Sequence, residues 1–157
     1  MRPLLTIGLS LAIFTSMPLF AFAQANSVNG QGDRPLLQQG ITAHNSGHYA
    51  EAASIWRQML RAEPTSDIAY NNLGNALLKL GQLSEAEAAF RAAIRLAPNE
   101  AVRYYNLGNV LAEQGRVNEA IAAYKDTIRL DAASAAAYYN LTSVRDKNGR
   151  KKGEQVR

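Results

Sequence analysis

A chain of 157 residues, 47% of them apolar, is long enough for one domain of ordinary size with its own core. It has no cysteine, which excludes disulfides, thiolate metal sites and a lipid-modified cysteine anchor. The formal charge of +4 is small, and six of the basic residues crowd between Arg145 and Arg157, so the body of the chain is nearly neutral and nucleic acid is a disfavoured partner.

The first predicted element is a secretory signal peptide over residues 1–23. Arg2 supplies the positive start, Pro3 to Ala23 carries no charge, and Leu4 to Phe14 forms an apolar stretch. Pro18 breaks it, and Ala21-Phe22-Ala23 fits the small-x-small rule for cleavage before Gln24. The competing reading is an uncleaved membrane anchor, since the stretch could span a bilayer. Thr6, Gly8, Ser10, Thr15 and Ser16 dilute it, which favours cleavage and a soluble protein in a bacterial periplasm or an equivalent lumen. Residues 24–32 are small and polar without period, and read as a flexible linker.

A repeat follows. Gly47, Gly81 and Gly115 stand 34 residues apart, each followed by Glu-Ala (Glu51-Ala52, Glu85-Ala86, Glu119-Ala120) and by an aromatic residue (Trp56, Phe90, Tyr124). A fixed period of that length denotes stacked helical hairpins, each too small to fold alone. In the second unit, Tyr70, Leu73, Leu77 and Leu80 recur at three and four, which marks one face of a helix. Ser66 or Asp67 is placed to cap it, and Gly81 to stop it. A second helix is expected from about Leu83 to Leu96, with Ala86, Ala89, Phe90, Ala93 and Ile94 inward and Pro98 beyond its end. The same pattern holds one period up and one period down. The last helix, about Ala135 to Lys147, closes the stack in a capping segment that ends at Gly149, and residues 150–157 are expected to be a disordered basic tail.

These residues resemble the tetratricopeptide repeat, whose signature is W-x2-L-G-x2-Y…A-x3-F…P. With Asp33 as position 1, the units are 33–66, 67–100 and 101–134, followed by the capping segment 135–149. Tyr70, Leu73, Gly74, Leu77, Ala86, Phe90 and Pro98 match in the second unit. Tyr104, Leu107, Gly108, Leu111, Ala120 and Tyr124 match in the third. The first unit matches weakly in its first helix (Leu36, Gly40, Ala43) and well in its second (Ala52, Trp56, Pro64). Ala132 departs from the pattern where Pro64 and Pro98 stand, so the last joint should be less rigid. The resemblance implies an all-α fold: a right-handed superhelical array of three helix–turn–helix hairpins plus a C-terminal capping helix. The periodic alanines, glycines and aromatic residues are then scaffold.

The resemblance also implies a concave groove lined by the first helix of each hairpin. It offers Leu37, Ile41, Ile68, Val102, Tyr105 and Tyr139 as apolar anchors. Beside them stand Asn71, Asn72 and Asn75, then Asn106, Asn109 and Asn140. Amides both donate and accept, so these asparagines either clamp the backbone of an extended peptide or bond between repeats and only order the scaffold. Asn71, Asn75, Tyr105, Asn109 and Tyr139 lie off the apolar stripe and should be exposed. Where chaperone-binding members of the family carry lysine or arginine, this chain has Leu37, Asn71, Val102 and Ala136, so their basic clamp is missing.

Catalytic signals are absent from the sequence: no nucleophile elbow, no phosphate loop, no catalytic acid pair. His44 and His48 have the spacing of a helical metal pair, but Gly47 falls between them and no third ligand is near, so they read as surface histidines and no cofactor or metal is expected. Glu51, Glu85 and Glu119 fit the positive end of each second helix. Asn140-Leu141-Thr142 is a glycosylation sequon that falls by chance inside a predicted helix. The expected function is therefore a non-catalytic protein–protein interaction module, an adaptor or assembly factor for a protein or peptide. The alternative is an envelope-associated spacer or dimerisation module whose basic tail meets an anionic surface.

Overall fold

The computed structural model describes residues 33–154, which form seven helices and, among the described residues, no strand. They are α1 (Asp33–Asn45), α2 (Tyr49–Ala62), α3 (Asp67–Lys79), α4 (Leu83–Leu96), α5 (Ala101–Glu113), α6 (Val117–Leu130) and α7 (Ala135–Glu154). The signal peptide and linker expected over residues 1–32 lie outside the described residues. Every helix packs on its neighbour in sequence, and the first helices α3 and α5 also touch each other. The family resemblance assigns the inner side of the array to the first helices, α1, α3, α5 and α7.

The turns explain why the period survives. Gly47, Gly81 and Gly115 take φ of +79°, +72° and +74°, a left-handed conformation that costs glycine nothing. The next residue reaches back in each case: the N–H groups of His48, Gln82 and Arg116 donate to the carbonyls of Ala43, Leu77 and Leu111 at 2.9 Å. This pattern satisfies carbonyls that the helix end would leave bare. At the start of α3, the Ser66 hydroxyl accepts from the Ala69 N–H at 3.3 Å, as a helix cap does.

Each hairpin closes on one contact. A Cβ built on Gly40, Gly74 or Gly108 would sit 2.5, 2.7 or 2.6 Å from the ring of Trp56, Phe90 or Tyr124. The glycine is thus the hole and the aromatic ring the knob. Ala52, Ala86 and Ala120 are fully buried beside them, where a larger side chain would separate the helices.

Two joints differ from expectation. The joint without proline at Ala132 is held by Asp131, whose carboxylate accepts from the Ala133 N–H at 3.1 Å. The basic tail at 150–157 is not wholly irregular: α7 runs on to Glu154, past the expected end at Lys147 to Gly149. Gly149 occupies the register of Gly47, Gly81 and Gly115 yet keeps a helical φ. A single glycine within a helix is tolerated at a cost of about 1 kcal/mol. α7 also replaces the packing positions of α3 and α5. Thr142 stands where Gly74 and Gly108 stand, and exposed Arg145 where Leu77 and Leu111 are buried. Leu141 is half-buried, whereas Leu73 and Leu107 are only 8% and 6% exposed. α7 is thus polar at positions where α3 and α5 are apolar or glycine.

Candidate partner-binding groove

The inner face carries most of the exposed apolar surface. Ile68 and Val102, one period apart near the starts of α3 and α5, are 51% and 53% exposed, and Tyr139 on α7 is 75% exposed. Ile41 is exposed on α1 and Leu37 is half-buried. Burying such side chains against a partner is favourable, and nothing in their own fold covers them.

The asparagines divide. Asn106 Nδ2 donates to Asn71 Oδ1 at 3.2 Å, and Asn140 Nδ2 donates to the Tyr105 hydroxyl at 3.2 Å, in the same register one repeat on. Asn140 also donates to Asn109 Oδ1 at 3.0 Å, and the Tyr124 hydroxyl donates to the same oxygen at 2.8 Å. Burial pushes the Tyr124 phenol up to about 12, so it keeps the proton it donates. One register lower, the acceptor position is Leu37, which has no side-chain oxygen. Among the described residues, Asn72 therefore has no such partner, and neither it nor Asn75 makes a side-chain hydrogen bond. Asn71, Asn106, Asn109 and Asn140 tie repeats together, while Asn72 and Asn75 keep their amides unspent.

The expected exposure needs correction. Of Asn71, Asn75, Tyr105, Asn109 and Tyr139, only Tyr139 is exposed; the others are half-buried. The first helices approach closely enough for neighbouring repeats to cover these positions. Tyr105 packs on the hydrophobic core and its ring lies 6.0 Å from that of Tyr124.

At the far ends of the first helices lies a cleft of about 470 Å³, lined by Lys79, Asn109, Glu113, Asn140, Ser143 and Lys147 among others. The charged members of this cleft were not legible as groove residues, because the tetratricopeptide signature is silent at those positions. A second cleft, of about 360 Å³, lies between α4 and α6 over Leu107 and Leu111. Its rim includes Arg91 and Glu119, 3.6 Å apart, the counterpart of Arg57–Glu85 at 2.8 Å one repeat earlier. The periodic glutamates thus bridge second helices as well as sitting at helix starts.

Arg103 was also invisible to pattern. Its register holds Ala69 and Ala137, both fully buried, yet Arg103 is buried too. Its guanidinium donates to the Ala97 carbonyl at 2.8 Å and to the carboxylate of Asp67, the first residue of α3. One buried cation so clamps the second repeat to the third.

His44 stacks edge-on to Tyr49 with ring centroids 5.2 Å apart, and burial, then Lys79, lowers its basicity. His48 pairs with Glu51 at 3.6 Å. Among the described residues no group of three side chains could hold a metal ion.

Comparison with known proteins accords with this geometry. Family models described as "Tetratricopeptide repeat" and "TPR repeat" match residues 37–101 and 108–149. Among solved structures, MamA is 30% identical over 73% of this chain and 67% of its own, with a TM-score of 0.71. The first TPR of Spaghetti (RPAP3), solved bound to the HSP90 peptide SRMEEVD, is 20% identical over 79% of this chain and 98% of its own, with a TM-score of 0.74. The O-GlcNAc transferase of Thermobaculum terrenum is 28% identical over 70% of this chain but only 21% of its own, with a TM-score of 0.67. No curated protein matches by sequence.

Proposed function

The chain belongs to the tetratricopeptide repeat family, and we propose that it is a non-catalytic interaction module, an adaptor or assembly factor that holds a protein or peptide segment against its first helices. The observation that carries this is the inner face itself. Exposed Ile68 and Val102 share one register on α3 and α5, exposed Tyr139 lies three residues further along its own helix, and α3 also carries the unspent amides of Asn72 and Asn75. Apolar anchors supply affinity, and amides pair with the backbone polar groups that an extended segment brings with it. The family's peptide-holding arrays lend support by analogy of fold alone. The resemblance to O-GlcNAc transferase covers about a fifth of that enzyme, so no catalytic role is proposed. The expected signal peptide leads us to propose an exported protein, cleaved after Ala23 and working in a periplasm or equivalent lumen.

The test is affinity capture from the native compartment with three proteins: the parent, an Ile68→Asp/Val102→Asp variant, and a deletion of residues 150–157. Both substituted side chains are more than half exposed, so folding should be unchanged. The partner should be lost from the double variant and kept by the deletion. Loss from the deletion alone would favour the alternative, in which the basic end binds an anionic surface and the repeats act as a spacer or dimerisation module.

A further inference from the structure

Lys79, Glu113 and Lys147 occupy one register position, the last residue of α3 and of α5 and the thirteenth residue of the longer α7, and all three are exposed. They border the same cleft of about 470 Å³. None of the three makes an ion pair with another described residue.

Glu113 is electrostatically out of place. The other helices from α1 to α6 end on a base in the last turn: His44, Arg61, Lys79, Arg95 and Arg129. α5 has none there and ends on Glu113. An acid at the negative end of a helix dipole is unfavourable. Its carboxylate accepts no side-chain or backbone hydrogen bond from another described residue that would offset this. The fold does not account for Glu113, which leaves the groove to account for it.

We propose that the row of positive, negative and positive charge selects an extended partner segment of the form acid-x-x-base-x-x-acid. This rests on the first-helix face being the binding groove. Spacing fixes the pattern. α3 packs on α5, and the Asn109–Asn140 bond joins α5 to α7. Packed helices lie roughly 8–10 Å apart. A segment in the left-handed extended conformation has three residues per turn and rises about 3.1 Å per residue, so it returns to the same face after about 9 Å. Every third side chain therefore meets the next helix of the row. A uniformly acidic segment exchanges one attraction for repulsion at Glu113, and a uniformly basic one does so twice, so the alternating pattern is preferred to either.

Two labelled seven-residue peptides test this on the full chain: Asp-Ala-Pro-Lys-Ala-Pro-Asp and its charge-reversed twin, Lys-Ala-Pro-Asp-Ala-Pro-Lys. At low salt the first should bind roughly tenfold more tightly than the second, because three exposed pairs change sign together. The difference should vanish in 0.5 M salt, at about half the Debye length of physiological buffer. Amide shifts should move at Lys79, Glu113 and Lys147. Glu113→Lys should melt no lower than the parent and should switch preference to Asp-Ala-Pro-Asp-Ala-Pro-Asp. Equal binding of the twins, binding of neither, or an unswitched Glu113→Lys variant overturns the proposal. If that happens while Ile68→Asp/Val102→Asp still loses the native partner, the charge pattern fails and the groove stands. If the peptides discriminate but that variant keeps its partner, the groove reading fails instead.

Discussion

Gly74 and Phe90 share a contact that leaves no space for a methyl group, with 2.7 Å between the ring and any added Cβ. Gly74→Ala should cost roughly 1–3 kcal/mol through overpacking, although alanine favours the helix itself. Phe90→Ala should cost roughly 3–5 kcal/mol through the cavity it leaves. Because the two side chains compete for one volume, Gly74→Ala combined with Phe90→Leu should cost less than the separate effects added together. Chemical denaturation of the parent, Gly74→Ala, Phe90→Ala, Phe90→Leu and the double variant measures this, and strict additivity of Gly74→Ala and Phe90→Leu would show that the contact is not made. Glu87 sets a different dependence. Burial raises its pKa, but hydrogen bonds from Arg91, Gln114 and Arg116 outweigh that and hold it below its ordinary value of 4.5. A depressed carboxylate stabilises the fold fully above its unfolded value and loses that contribution as pH falls through the folded one. Stability should thus decline below about pH 4.5, and Glu87→Gln should flatten that decline when melting is followed against pH.

Between elements, the second and third repeats are joined by one interaction without a periodic counterpart. Arg103 is buried, and Asp67 is 31% exposed. Arg103→Ala should cost roughly 2–3 kcal/mol, the low side of what a fully buried pair loses when one partner goes, because water reaches Asp67. Arg57→Ala, which removes the exposed pair with Glu85, should cost less than about 1 kcal/mol. Equal losses in thermal unfolding would mean that Arg103 is no clamp. The contrast also marks what sequence conveys. Helix bounds such as Leu83–Leu96 were legible because turn glycines and apolar spacing repeat, and repetition is itself the signal. Arg103 was not, since its register holds Pro35, Ala69 and Ala137 in the other units and no second charge. The extent of α7 was not either: Gly149 has the same repeat position as three turn glycines, yet it lies inside a helix without a positive φ.

Across the whole molecule, the first-helix face proposed to bind was legible as a set of positions but not as a division of labour. Leu37, Ile41, Ile68, Val102 and Tyr139 were nominated by register, and the last three are exposed by more than half. Which asparagines are spent on neighbouring repeats depends on distances across helices, and no single repeat contains that information. The spent set follows from side chains 31 and 35 residues apart. Asn106→Ala should therefore lower stability by about 0.5–1.5 kcal/mol, the usual net worth of such a bond, while Asn72→Ala should leave melting nearly unchanged and weaken partner binding. The central claim, that the first helices are the face that holds a partner, is tested most directly by site-specific photo-crosslinking in the native compartment. One probe replaces Val102 on the inner face, and another replaces Gln58, exposed on a second helix. Adducts of one defined partner from position 102 and none from position 58 are predicted; adducts from position 58 alone would contradict the account.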